Sequence, residues 1–195
     1  MTSLYLVRHG ESKLNNENVY YGWTDCYLTE RGINQCKRLS KDFKNIKFDI
    51  VISSPLKRAI DSAKIIIGLD QDILLCEEFK EINFGKWEGL NFKEIQKVYE
   101  KEWELWSNNW KCYAPPEGES FLNLYNRVRL GLEVLLDKYK DKKILVVAHG
   151  GTLKIISMIL LKLDYDSFWN FTFDHGSYTL FEITESSCVL RNLNK

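Results

Sequence analysis

The chain has 195 residues, of which 45% are hydrophobic and 28% are charged, as in an ordinary globular domain. Its 27 basic and 27 acidic residues balance, which argues against nucleic acid as the main partner, because such domains usually carry a basic excess. The longest apolar run, at 155–161, is too short to span a membrane, so no membrane partner is expected. The five cysteines include no CxxC pair, which indicates reduced thiols in a cytoplasmic protein.

Short apolar runs alternate with amphipathic segments along the chain. Thr29 and Ser120 are expected to cap two of the helices, because their hydroxyl oxygens can accept the free N–H groups of a helix start. This alternation predicts an α/β fold, a three-layer α/β/α sandwich with a largely parallel central sheet. The strands are predicted near 3–8, 48–53, 73–76, 144–148, 177–183 and 188–193.

The first predicted strand ends in Arg8 and His9, followed by Gly10. Open α/β sheets bind ligands at the carboxyl ends of their strands. An arginine fork suits phosphate, and a neutral histidine nitrogen can act as a nucleophile. The pair suggests phosphoryl transfer through a phosphohistidine, with a purely structural role as the alternative for the pair alone.

Two later strands also lead into polar residues. Arg58 falls in the first turn of a helix, where a positive charge is repelled by the helix dipole. A bound anion would offset this repulsion; the alternative is that Arg58 is exposed to solvent. His149 follows the fourth predicted strand, and Thr152 is expected to cap the next helix. A histidine beside a helix N-terminus favours an anion site.

Aromatic residues concentrate between 92 and 113. Trp103, Trp106 and Trp110 follow one another at spacings of three and four residues and are expected to share one helix face. That face belongs either to the core or to a cap that lines a substrate pocket. We expect a single domain over 1–195 with a helical aromatic cap insert at about 91–119.

The motifs RHGES, SSPLKRA, EINFGKWEG and AHGG occur in this order. With them the chain resembles, from about Leu4 to Leu193, the histidine phosphatase superfamily, also called phosphoglycerate-mutase-like. The resemblance implies that His9 is phosphorylated and that Glu81 is the proton donor, which burial by Phe84 and Trp87 would help to keep protonated. It also implies that no cofactor or metal takes part and that the phosphate is held by Arg8, Asn15, Arg58 and His149.

The segment around Trp106, the PPEGESF stretch and the tail around Trp169 resemble more specifically the α-ribazole phosphatases of cobalamin assembly. That resemblance implies a small phosphomonoester substrate, α-ribazole 5′-phosphate, whose flat base suits an aromatic pocket. A broad-specificity phosphatase remains an alternative, as does a phosphoglycerate mutase-like enzyme, although the chain has no Arg-Arg pair of the kind found in the mutase insert. A non-catalytic phospho-ligand-binding protein is the alternative of another class. His175 is expected to be a turn residue near the pocket rim.

Overall fold

The computed structural model describes residues 1–69 and 71–195. None of the helices in these ranges is long and apolar enough to cross a membrane. The strands are β1 (Thr2–Arg8), β2 (Ile50–Ser53), β3 (Leu74–Leu75), β4 (Lys143–Ala148), β5 (Tyr178–Ile183) and β6 (Cys188–Asn192). The α-helices are α1 (Glu30–Asp42), α2 (Lys57–Ile67), α3 (Phe92–Val98), α4 (Glu100–Asn108), α5 (Phe121–Lys138) and α6 (Gly150–Leu161).

The strands form one sheet in the order β3-β2-β4-β1-β5-β6. Pairing is parallel between β3 and β2, β2 and β4, and β4 and β1. It is antiparallel from β1 to β5 and from β5 to β6. The predicted α/β fold with a largely parallel sheet is therefore confirmed, with an antiparallel pair at one edge.

Helices cover both faces of the sheet. Leu4 and Leu6 of β1 belong to the core cluster that includes residues of α5 and α6. Tyr5 and Val7 belong to the second cluster, with residues of α1 and α2. Because successive side chains of a strand point to opposite faces, β1 is buried on both sides, which explains its unbroken apolar run.

Side-chain caps were predicted at three helix starts, and the structure has two of them. Thr29 accepts a hydrogen bond from the N–H of Gly32 at the start of α1, and Ser120 caps α5 in the same way. The prediction for Thr152 is wrong: α6 begins at Gly150, with His149 in the capping position. Thr152 lies inside the helix, where its hydroxyl donates to the carbonyl of Lys80 at 2.8 Å.

The aromatic segment forms α3 and α4, but α4 ends at Asn108. The prediction that Trp110 shares a helix face with Trp103 and Trp106 is therefore wrong. Trp103 and Trp106 pack against buried Trp87, with ring centroids 5.6 and 5.8 Å apart. Trp110 lies beyond the helix, in contact with other aromatic rings. The backbone leaves the helical conformation at Asn109, which separates the two groups of rings.

Candidate active site

The parallel strands β2, β4 and β1 end side by side. In the register of the sheet Arg8 lies opposite Ala148, so the residues that follow them, His9 and His149, meet at one edge. Their ring centroids are 5.1 Å apart, and both side chains are buried. Nε2 of His149 lies 2.7 Å from the hydroxyl of Ser54, which follows β2.

The ring of His9 is fixed by its own neighbour. Its Nδ1 lies 2.8 Å from the carbonyl oxygen of Gly10. Because a carbonyl can only accept, Nδ1 carries the hydrogen and Nε2 keeps the lone pair. Burial, followed by the charges of Arg58 and Arg8, holds the pKa of His9 well below its ordinary value. The imidazole is therefore neutral at neutral pH, with Nε2 available as a nucleophile.

His149 presents the opposite chemistry. We assign the hydroxyl hydrogen of Ser54 to Nε2 of His149, because the hydroxyl oxygen already accepts from the N–H of Leu56. Nδ1 of His149 then carries a proton. Burial and the charge of Arg58 hold the pKa of His149 well below its ordinary value, so this ring is neutral too. It offers a neutral N–H donor beside the His9 ring.

Two guanidinium groups, one buried on Arg58 and one half-buried on Arg8, complete the cluster. Arg58 is 1% exposed and donates to the carbonyls of Gly22 at 2.5 Å and Thr24 at 3.0 Å. Arg8 donates to the carbonyl of Phe173 at 2.6 Å, and burial lowers its pKa. Within the described ranges, the buried side-chain polar atoms without a hydrogen-bond partner include Arg8 Nε, Arg58 Nε and His149 Nδ1. Unpartnered donors on two cations suit a phosphate group.

Asn15 lies behind this cluster. Its side-chain oxygen accepts from the N–H of Ser12 at 2.9 Å and from the Ser12 hydroxyl at 2.7 Å. The Ser12 hydroxyl is 2.9 Å from that of Tyr21, whose ring lies 4.9 Å from the Arg58 guanidinium. The structure thus brings Arg8, His9, Arg58 and His149 together and joins Asn15 to them through two further side chains.

Glu81 approaches from the loop before α3. Its carboxylate accepts the N–H of Gly151 at 2.9 Å and that of Ile82 at 2.9 Å. A Cβ at position 151 would overlap the Glu81 carboxylate, so the second glycine of AHGG lets the acid reach the start of α6. This bond also satisfies a free N–H of the helix start, so α6 needs no cap from Thr152. Phe84 and Trp87, the expected neighbours of the carboxyl, pack against Tyr20.

The backbone at Glu81 is held from three sides. Its carbonyl accepts from the indole of Trp23 and from Arg127, each at 2.8 Å. Arg127 also binds Glu119, whose carboxylate accepts the N–H of Asn83 at 2.8 Å. The stretch before α5 therefore braces the loop that carries the acid.

Sequence reasoning missed Glu88, the last acid of EINFGKWEG. Its carboxylate accepts the backbone N–H groups of Gly22, Trp23 and Thr24, at 3.1, 2.7 and 2.6 Å. Carbonyls of this same loop hold Arg58. Glu88 thus positions one of the arginines from a distance. The available signal was a second carboxylate between two glycines, in the motif that also carries Glu81.

His175 lies in a turn, as expected, but it also contacts the His9 residue. Its Nδ1 is 3.2 Å from the carbonyl oxygen of His9, and the two rings are 5.3 Å apart. Burial and the charge of Arg8 lower the pKa of His175 to about 4. A third neutral imidazole therefore packs beside the pair.

The described residues contain no group of three histidine, cysteine, aspartate or glutamate side chains arranged to hold a metal ion. All five cysteines are free thiols. The cluster of two histidines, two arginines and one carboxylate can bind a phosphate group, attack it with a nitrogen and exchange a proton with an oxygen beside it.

The model of the histidine phosphatase superfamily, branch 1, matches residues 4–195. The adenosylcobalamin/α-ribazole phosphatase of Escherichia coli K12 is 30% identical over 192 residues, which cover 98% of this chain and 95% of the relative. Phosphoserine phosphatase 1 of Hydrogenobacter thermophilus is 31% identical over 195 residues, covering 100% and 92%. The crystal structure of the α-ribazole phosphatase from Shigella flexneri superimposes with a TM-score of 0.95 at 29% identity, covering 99% and 96%.

Proposed function

The chain belongs to the histidine phosphatase superfamily, and on that premise we propose that it hydrolyses phosphomonoesters through a phosphohistidine intermediate. One observation carries the proposal: His9 is held neutral beside buried Arg58 and half-buried Arg8, with its Nδ1 hydrogen bonded to the Gly10 carbonyl and the lone pair of Nε2 left free. A protein that only bound phosphate would not need a nucleophile in this state, which argues against the non-catalytic alternative.

In the first step, Arg8, Arg58 and the Nδ1–H of His149 hold the phosphate oxygens while Nε2 of His9 attacks phosphorus. The bond to the leaving oxygen breaks, and the Glu81 carboxyl gives that oxygen its proton. In the second step, the Glu81 carboxylate takes a proton from water as the water oxygen attacks phosphorus. The P–N bond breaks, and inorganic phosphate leaves. The fixed cations stabilise the charge that develops on the phosphoryl oxygens.

We infer that the substrate is α-ribazole 5′-phosphate. The support is the likeness to relatives named for that activity, together with an aromatic surface near Glu81. Phosphoserine is the second candidate, because a phosphoserine phosphatase is equally similar over the whole chain. The absence of an Arg-Arg pair disfavours a mutase-like reaction, while a broad-specificity phosphatase differs from the first proposal only in its selectivity. A cytoplasmic location stays a prediction.

Three measurements test these statements separately. Wild-type kcat/KM on α-ribazole 5′-phosphate, O-phosphoserine, 3-phosphoglycerate and ethyl phosphate is expected to be highest for the first. A preference for another compound would reject α-ribazole 5′-phosphate as the substrate but would not contradict hydrolysis through a phosphohistidine. His9→Ala is expected to lower turnover by at least about a thousandfold and to abolish an acid-labile phosphoryl label. Near-normal turnover of that variant rejects the phosphohistidine. Turnover is expected to persist in EDTA.

A further inference from the structure

Lys154 stands out among the lysines of the described chain. Its Nζ lies 4.8 Å from the ring centroid of Phe168 and 5.6 Å from that of Trp169. Its side chain is half-buried, and none of the ion pairs formed by residues 1–69 and 71–195 includes it. Because no carboxylate pairs with this half-buried ammonium, its N–H groups can donate hydrogen bonds to an acceptor atom of a bound ligand.

This lysine lies on the side of the site that carries the acid. It follows Gly151 by three positions in α6, so both lie on the helix face that meets Glu81. Burial lowers the pKa of Lys154, the nearby Glu81 opposes that effect, and Arg8 adds to it. The lysine is therefore within electrostatic range of the proton donor and of the phosphate-binding arginine.

An exposed aromatic face adjoins the lysine. Trp169 is 57% exposed and packs edge-to-face against Trp110, with centroids 5.3 Å apart. Trp103 and Trp106 differ from it, because they pack against each other and against Trp87 inside the α3–α4 segment. Of the tryptophans in this region, Trp169 therefore has the most exposed ring, and that ring lies beside Lys154.

We propose that Lys154, Phe168 and Trp169 form the subsite for the leaving group. The inference rests on the proposed function: Glu81 protonates the leaving oxygen, so the leaving group departs on the side where these three side chains lie. The ammonium donates to an acceptor on the leaving group, and the exposed indole covers its flat part. A benzimidazole ring nitrogen and a serine carboxylate offer the ammonium the same acceptor chemistry, whereas only the former brings a ring.

Two variants and three substrates separate the two contributions. Lys154→Met keeps the length of the side chain and removes its charge. It is expected to raise KM at least about fivefold for α-ribazole 5′-phosphate and O-phosphoserine and to leave phenyl phosphate, which has no acceptor on its ring, unchanged. Trp169→Leu is expected to raise KM at least about fivefold for the two ring substrates and to leave O-phosphoserine unchanged.

Lys138→Met is the matched control. Lys138 is also a lysine over an aromatic ring, with its Nζ 5.1 Å from the ring centroid of Tyr139, but it lies at the C-terminal end of α5, away from the site. It is expected to change no KM value. The inference is overturned if Lys154→Met leaves every KM unchanged, or if it lowers kcat and shifts the pH profile on phenyl phosphate, since the lysine then acts through Glu81.

The comparison is between variant and wild type, so it stands whichever substrate the wild type prefers. Should the protein hydrolyse none of the three, dissociation constants for the same compounds from tryptophan fluorescence give the same pattern without turnover. Constants that do not differ between variant and wild type would then overturn the subsite, while the lack of turnover alone would reject only the proposed function.

Discussion

The carboxylate of Glu81 accepts a hydrogen bond from the backbone N–H of Gly151, 2.9 Å away, across 70 residues of the chain. This bond places the acid at the start of α6, immediately after His149. The position of this carboxylate, the proposed proton donor, is therefore set by a helix terminus, although Glu81 itself lies in a loop.

Glu81→Gln keeps the shape of the side chain and removes the exchangeable proton. We expect turnover of ethyl phosphate to fall by about a hundredfold or more, because an alkoxide is a poor leaving group without a proton. Turnover of 4-nitrophenyl phosphate is expected to fall much less, since the phenolate leaves unaided. Steady-state kinetics on both substrates decide the point, and equal losses would argue against the assigned role.

Gly151→Ala is expected to act like a change in Glu81 itself. A methyl group at position 151 would overlap the carboxylate and force the acid away from the helix start. We expect kcat on ethyl phosphate to fall at least about tenfold, with a smaller effect on 4-nitrophenyl phosphate and little change in the melting temperature.

Gly150→Ala is the matched control, because a Cβ there meets Arg8 only at an ordinary 3.5 Å. It is expected to keep near-normal kinetics on both phosphates. If both alanines behave alike, the close approach of Glu81 to α6 does not matter for turnover.

Glu88→Gln is expected to weaken phosphate binding, although the Glu88 side chain binds the 22–24 loop and is not one of the proposed phosphate ligands. One of its oxygens becomes an amide that cannot accept, so the 22–24 loop loosens and the carbonyls that hold Arg58 shift. We expect the inhibition constant of inorganic phosphate to rise about tenfold. Glu117→Gln, at an exposed ion pair with Lys86, serves as the control and is expected to leave it unchanged.

The three histidines make the fold sensitive to acid. The pKa of each is lowered in the folded protein, so below pH 6.5 these histidines are protonated in the unfolded chain while they stay neutral in the folded one. The free energy of unfolding is expected to decrease as the pH falls from 6.5 towards 4, by up to about 1.4 kcal/mol per pH unit for each histidine. Urea unfolding at several pH values measures this slope. His175→Gln is expected to reduce it by one histidine's share, and an unchanged slope would contradict the assignment.

Trp103→Ala is expected to cost stability and to leave selectivity alone. Its ring packs on Trp87 and Phe92, so its removal leaves a cavity and is expected to lower the free energy of unfolding by about 3 kcal/mol. The ratio of kcat/KM between α-ribazole 5′-phosphate and phenyl phosphate should stay constant while the melting temperature falls. A changed ratio at constant stability would place this ring in the substrate site.

The features that were predictable from sequence are those that one local pattern determines. Apolar runs locate β1 and β4, and the two parallel strands end at the same edge of the sheet, which is where Arg8, His9 and His149 lie together. Thr152 could not be assigned correctly, because the N–H group that a cap would satisfy is bound by Glu81, a residue from a distant loop. The same limit applies to Glu88, whose partners come from the 22–24 loop.

The aromatic residues show a second limit. The spacing of Trp103 and Trp106 predicts a shared face, and they do share it. The end of α4 at Asn108 is marked only by Asn108 and Asn109, which the spacing of the tryptophans outweighed in the prediction, so Trp110 was placed on the wrong surface. The contact of His175 with His9 depends on the turn before β5 folding back onto the end of β1, which spacing alone does not indicate.

The pairing of β1 with β4 sets the order in which activity can appear during folding. Arg8 lies opposite Ala148, so the phosphate site closes only when the two strands, distant in the chain, have found each other. Such non-local pairing is slow, because loop-closure entropy is lost before the contacts form. On refolding, we therefore expect the helical circular dichroism signal of the chain to return before hydrolysis does. During synthesis, β1 can pair with β4 only after most of the chain has emerged from the ribosome, so the site around His9, the proposed nucleophile, forms late.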